Sequence, residues 1–107
     1  MAEVAVNPLK ITRYLLCLDN GPEAAAKARF FKRFGFVEAR PDLLIAALRQ
    51  HAAENPICDL WSDEWGIHAE VDGPLRTPDG RDPMIRTSWI RDRDAGAVAR
   101  LVTAFPR

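Results

Sequence analysis

The 107-residue sequence predicts an α+β domain in which about three N-terminal helices pack on a four-stranded antiparallel meander. Two observations carry this expectation. Up to about residue 54, apolar residues recur at helical spacing behind proline-marked starts; from Pro56 they fall in short runs bounded by turn residues. The links between those runs are too short for the crossover helices that parallel strands need, so the strands should pair antiparallel. Helices followed by strands, with no repeat and no low-complexity linker, make a single α+β unit over residues 1–107. A chain of this length buries roughly two thirds of its unfolded surface, enough for a core of its own.

Asn7-Pro8 offers an N-cap followed by proline at the first helical position, and Leu9, Thr12, Leu15 and Leu16 carry a short helix to about Leu16. Asp19-Asn20-Gly21-Pro22 breaks it. A second helix runs from about Pro22 to Phe34: Ala24 to Ala28 favour the helix intrinsically, and Lys27, Phe30, Phe31 and Phe34 follow the i, i+3, i+4, i+7 pattern. Gly35 is its expected left-handed terminator, with Phe36 folding back. Pro41 opens a third helix whose stripe is Leu44, Ala47, Leu48 and His51, although Arg40 is a poor cap. The strands are expected at Ile57–Trp61, Trp65–Val71, Met84–Arg91 and Val98–Phe105. Their turns lie near Ser62-Asp63-Glu64, at Thr77-Pro78-Asp79-Gly80 and at Asp94-Ala95-Gly96.

Fifteen Lys and Arg balance fifteen Asp and Glu, so net charge gives no support to a nucleic-acid partner. The distribution is uneven. Residues 52–75 hold Glu54, Asp59, Asp63, Glu64, Glu70 and Asp72 without a Lys or Arg, whereas Arg76, Arg81, Arg86, Arg91, Arg93, Arg100 and Arg107 follow. Arginine's planar fork suits phosphate or carboxylate; a GC-rich genome would also favour it. No apolar run approaches the ~20 residues of a bilayer span, and no basic stretch leads a long apolar one, so a soluble, unexported chain is expected. Cys17 and Cys58 show no Cys-x-x-Cys spacing. They read as buried small apolar residues of a cytoplasmic protein.

Candidate chemistry is spread along the chain. His51 ends an amphipathic helix, where the negative dipole end favours a protonated ring, and it can serve as general acid or base or as a hydrogen-bonded core residue. Lys27 occupies an apolar stripe, where it either snorkels or carries function. His68, Glu70 and Asp72 share a strand face that could hold a metal, but no spacing fixes a ligand set, and a solvated hairpin face is the better reading. No metal or cofactor is expected. On the third strand Arg86 and Ser88 lie opposite Ile85, Thr87 and Trp89; antiparallel neighbours would bring Arg86, Thr87 and Thr103 together, with His51 reaching them if its helix packs at that edge. Such a set suits metal-independent RNA cleavage. His51 would activate the ribose 2′-hydroxyl, Arg86 and Lys27 would stabilise the phosphorane, and Thr103 would orient a phosphate oxygen. Trp61, Trp65 and Trp89 are either base-stacking surfaces or core and hairpin braces.

Several stretches together resemble a family of small bacterial domains of unknown function. They are Lys27-Ala28-Arg29-Phe30-Phe31 with Gly35-Phe36, Leu48-x-x-His51, Gly73-Pro74-Leu75-x-Thr77-Pro78-Asp79-Gly80-Arg81, Arg86-Thr87-x-Trp89-Ile90 and Arg100-Leu101-Val102-Thr103-Ala104-Phe105-Pro106. The resemblance spans about residues 8–106. The closing strand is also similar to that of toxin ribonucleases of the barnase, EndoU, colicin and RelE type. That second resemblance implies polar site positions at Lys27, His51, Arg81, Arg86 and Thr103; Arg81 and, from its base-stacking ring, Trp89 are the expected substrate contacts. The sequence departs from the family before the second helix, where Asp19-Asn20-Gly21-Pro22 stands in place of a usual Asp-His pair. If that histidine is catalytic, this chain is impaired. The expected function is a toxin-like ribonuclease acting on RNA and paired with a small neutralising protein. The alternative is a non-catalytic module that binds a protein through its sheet edge or acidic hairpin.

Overall fold

Punctuation residues and helix caps set the element boundaries in the computed structural model, which describes residues 1, 3–94 and 96–107. Strand β1 is Val4–Ala5; α1 is Pro8–Lys10, continued by a π-helical segment, Ile11–Leu15; α2 is Gly21–Arg33 and α3 is Pro41–Glu54. Strands β2 (Ile57–Ser62), β3 (Gly66–Pro74), β4 (Met84–Asp92) and β5 (Ala99–Pro106) follow. Of the expected Asp94-Ala95-Gly96 turn, Ala95 lies outside the described residues.

The Asn7 side chain accepts the Leu9 N–H at 2.9 Å, the cap expected before Pro8. The stripe of this first helix is the expected one at Leu15 and Leu16 but not at Leu9, which is exposed. Leu16 N–H bonds the Ile11 carbonyl at 2.9 Å, five residues back, and this wider turn sends Ile11, Leu15 and Leu16 into the core while Leu9 and Tyr14 face out. Helix α2 buries Ala25, Ala28 and Phe31, so Lys27, Phe30 and Phe34 lie at the margin of its buried face. It ends as expected. Gly35 sits at φ +105°, its N–H bonds the Lys32 carbonyl, and Phe36 N–H returns to Phe31, whose ring Phe36 also meets at 6.4 Å. Helix α3 buries Leu44, Ala47, Leu48 and His51, the predicted stripe.

The sheet has five strands in the order β1-β5-β4-β3-β2, not four. β2 to β5 form the expected antiparallel meander, but β1 pairs parallel with the start of β5, Val4 opposite Ala99 and Ala5 opposite Arg100, which makes the sheet mixed. A two-residue strand without a hairpin turn leaves no local pattern to read; the packed helices deliver it to β5. Helices cover one face, where Val71, Leu75, Ile85, Trp89 and Ala104 meet Ile11, Phe31, Phe36, Leu44 and Leu48. The cysteines depart from expectation, since Cys58 is exposed and Cys17 half-buried. No helix among the described residues is long and apolar enough to cross a membrane.

Candidate functional site

The residues expected to form one catalytic cleft lie in three places. His51 is 2 % exposed beneath the helix layer. The Gly73 carbonyl, 3.1 Å away, only accepts, which puts the proton on Nε2; Nδ1 then accepts from the Thr87 hydroxyl at 3.0 Å. Thr87 in turn accepts from Trp89 Nε1 at 2.8 Å. This chain of bonds satisfies His51 and Thr87, the buried polar side chains among the described residues, and the Trp89 indole, and it leaves neither imidazole nitrogen free. Burial pushes the His51 pKa down, against the hydrogen bonds to backbone that favour the charged ring. Trp89 is 1 % exposed, so it offers no open face to a base.

Arg86 extends from the opposite face of the sheet. Its guanidinium takes Asp72 in a bidentate grip at 2.7 and 2.9 Å and reaches Glu70 at 3.3 Å; Ser88 donates to Glu70 at 2.9 Å and Arg107 approaches Asp72 at 3.3 Å. Arg86 is neutralised by two carboxylates, and Asp72 is held below the usual carboxylate range, chiefly by its bond to Arg86. The polar row on β3 is thereby explained as an ion network. Among the described residues no group of three or more His, Cys, Asp and Glu could hold a metal ion. His68 lies beneath Trp61, ring planes 4° apart and centroids 5.0 Å apart, with Nε2 2.8 Å from Asp63 Oδ2 but off the line of a hydrogen bond. Arg81 is a turn clamp. It grips Asp79 at 2.6 Å, donates to the Arg33 carbonyl at 2.8 Å and lies 4.3 Å over the Phe34 ring, fastening the Thr77–Arg81 turn to the end of α2.

Lys27 and Thr103 do meet, Nζ to Oγ1 at 3.2 Å, and the same ammonium lies 5.7 Å from the Phe105 ring centre. They meet because β1 pairs only with Ala99 and Arg100, leaving the rest of β5 as a free edge, and because β5 bulges opposite Ser88 and Trp89. Around the pair lies a cleft bounded by the first helix, α2 and β5. One hollow of about 130 Å³ holds Lys10, Tyr14, Lys27 and Thr103; a second of about 390 Å³ holds Lys10, Arg13, Tyr14 and Arg100. No carboxylate lines either hollow. Arg100 is paired to Asp92 at 2.7 Å, while Lys10, Arg13 and Lys27 pair with no carboxylate among the described residues. Sequence reasoning missed Lys10, Arg13, Tyr14 and Arg100; the i, i+4 spacing of Lys10 and Tyr14, whose ammonium and ring centre lie 5.3 Å apart, was the available signal.

At the far edge of the sheet, β2 is exposed along its whole length. Leu60 is 61 % exposed and Trp65 68 %, and a hollow of about 480 Å³ runs from Ile57 and Leu60 across Ile67 to Met1. Glu3 and Arg91 are the charged residues that line this hollow.

Three helices on one face of a five-stranded mixed sheet define the class: a small α+β domain. The chain belongs to a family described as a domain of unknown function, DUF6883, whose model matches residues 1–107. Its fold is similar to that of a chain in a contact-dependent growth inhibition toxin and immunity protein complex from Klebsiella pneumoniae 342. The TM-score is 0.76 at 18 % identity, over 95 % of this chain and 92 % of that one. No functionally curated protein matches the chain.

Proposed function

We propose that this chain is a toxin-like domain that cleaves RNA without a metal, with the scissile phosphate lying against Lys27 and Thr103. The observation that carries the reading is the carboxylate-free lining of a cleft with four cations, in a molecule whose net charge is zero. Its fold similarity to a chain of a toxin–immunity complex supports the toxin-like part. The Asp19–Pro22 loop, where the resembled family carries an Asp-His pair, is tied to the first helix, since the Asn20 side chain donates to the Arg13 carbonyl.

In this scheme the ribose 2′-oxygen attacks phosphorus while its proton passes to water. The Lys27 ammonium and Thr103 hydroxyl stabilise the charge on the phosphorane oxygens. The 5′-oxygen leaves with a proton from Lys27, giving a 2′,3′-cyclic phosphate and a 5′-hydroxyl. His51, Arg86 and Trp89 take no part, each being committed to structural bonds. Induced expression in a bacterial host tests the scheme. Wild type should arrest growth and fragment bulk RNA, and Lys27→Ala should relieve both at equal soluble yield. Intact RNA with the wild type at good yield overturns it.

A second reading, a protein-binding module, is favoured by the exposed β2 edge with Leu60 and Trp65 at its surface. The two readings are compatible, because a neutralising protein could occupy β2 while RNA occupies the β5 side. Asp59 accepts the Leu60 N–H and a bulge separates Ile57 from Asp59, so side chains rather than strand addition would make that contact.

A further inference from the structure

We propose that the basic cleft is a two-hollow track for single-stranded RNA, in which Tyr14 is the platform on which a base stacks between two phosphate sites. This rests on the RNA reading above and adds which form of RNA is taken and by which residues. Tyr14 is 54 % exposed although Ile11, Leu15 and Leu16 around it are buried, because the π-helical turn sends its ring outward. Tyr14 lines both hollows, as does Lys10, whose ammonium lies over one face of the ring at 5.3 Å and leaves the other face for a base. On one side lie Lys27 and Thr103, on the other Arg13 and Arg100. Cations at either end of an exposed aromatic ring are what a polynucleotide needs: charge for successive phosphates and a flat face for the base between them.

The geometry selects single strands. A duplex hides its base faces, so Tyr14 would have nothing to stack on. Arg100 is already held by Asp92 at 2.7 and 3.0 Å, which leaves Lys10, Arg13 and Lys27 as the groups free to displace counterions. Three phosphate contacts on a single strand give a log–log salt slope of about 2. An acidic peptide would satisfy the cations but make no use of the ring.

The test is fluorescence anisotropy with the full chain and a labelled 2′-O-methyl octauridylate, which cannot be cleaved, between 50 and 200 mM salt. The expected results are preference for the single strand over a 2′-O-methyl duplex of equal length, a slope of about 2, and a fall to about 1.4 in Arg13→Ala. Tyr14→Ala should weaken binding about tenfold or more, with Tyr14→Phe restoring most of it, because the ring and not the hydroxyl stacks. Arg49→Ala, an exposed change on α3, serves as the control and should alter nothing. Equal binding of duplex, indifference to Tyr14→Ala, or tighter binding of a glutamate peptide than of RNA each overturns the track. Binding as described together with intact cellular RNA would keep the track and overturn the cleavage scheme; fragmented RNA with a fully active Tyr14→Ala would do the reverse.

Discussion

Replacing His51 with alanine should unfold much of the margin on which this domain stands, and the structure supplies the size. The substitution removes the acceptor of the Thr87 hydroxyl, which keeps only the bond it accepts from Trp89, and the side-chain donor to the Gly73 carbonyl, so two buried polar groups each lose a hydrogen bond. Each such group costs about 1–3 kcal/mol. The emptied ring volume adds a cavity penalty, so a total of at least about 3 kcal/mol is expected, against a net stability of about 5–15 kcal/mol for a typical domain. For a domain of this size 3 kcal/mol lowers Tm by about 12 °C or more. A pH signature accompanies it. Burial holds the native imidazole below its ordinary value of 6.5, so as pH falls through 6.5 the unfolded chain takes up a proton that the native chain refuses. That loss of wild-type stability begins near pH 6.5, grows down to the native pKa, and is absent from His51→Ala. Urea unfolding followed by tryptophan fluorescence at pH 7.5 and 5.5 measures both effects. Thr87→Val, which keeps the shape and removes the hydroxyl, should cost about 1–3 kcal/mol and covers the case in which the alanine variant does not fold. A His51→Ala midpoint equal to wild type, or an unchanged pH slope, would refute the assignment of His51 to the core.

Arg86→Met should lower the urea midpoint modestly, by a margin that shrinks in high salt, and should leave RNA binding untouched. Because Arg86 holds the Asp72 carboxyl below its usual 3.8, the stabilisation is complete above that pH and is lost as acid protonates Asp72; the acid limb of a stability–pH curve should therefore flatten in the variant. Gly66→Ala should break the β3–β4 register at its start. Gly66 stands at φ +151°, and an added Cβ runs into the Arg91 carbonyl oxygen, so a loss of about 1–3 kcal/mol from backbone strain alone should appear in urea unfolding. Leu60→Glu should keep the wild-type Tm, since the side chain is exposed, yet abolish co-purification with a co-expressed neutralising partner if β2 is where that partner docks.

Much of the architecture was legible because it is written locally. Pro8, Pro22 and Pro41, Gly35 with Phe36, and the Thr77–Gly80 turn place the helices and the meander, and the Leu44, Ala47, Leu48, His51 stripe of α3 is buried as its spacing demands. The candidate site was less so. Alternation correctly separated Arg86 from Thr87, but which face the helices would cover, and hence that Arg86 would meet Asp72 and Glu70 while His51 met Thr87, depends on packing between distant segments. Lys10, Arg13 and Tyr14 escaped because a 3.6-residue period sends Leu9 and Thr12 inward, whereas the chain adopts an i, i+5 turn there.

From sequence alone come the α+β class, the order of helices and antiparallel strands, and a candidate set, His51, Lys27, Arg86 and Thr103, of which only Lys27 and Thr103 meet. Caps, turns and periodicity act over a few residues, and a few residues are enough to read them. Tertiary structure decided the parallel strand β1, the burial of His51 and Trp89, the neutralisation of Arg86 and the gathering of four cations between the first helix, α2 and β5. Each of those depends on groups separated by tens of residues and joined only when the core closes, and no local pattern encodes them.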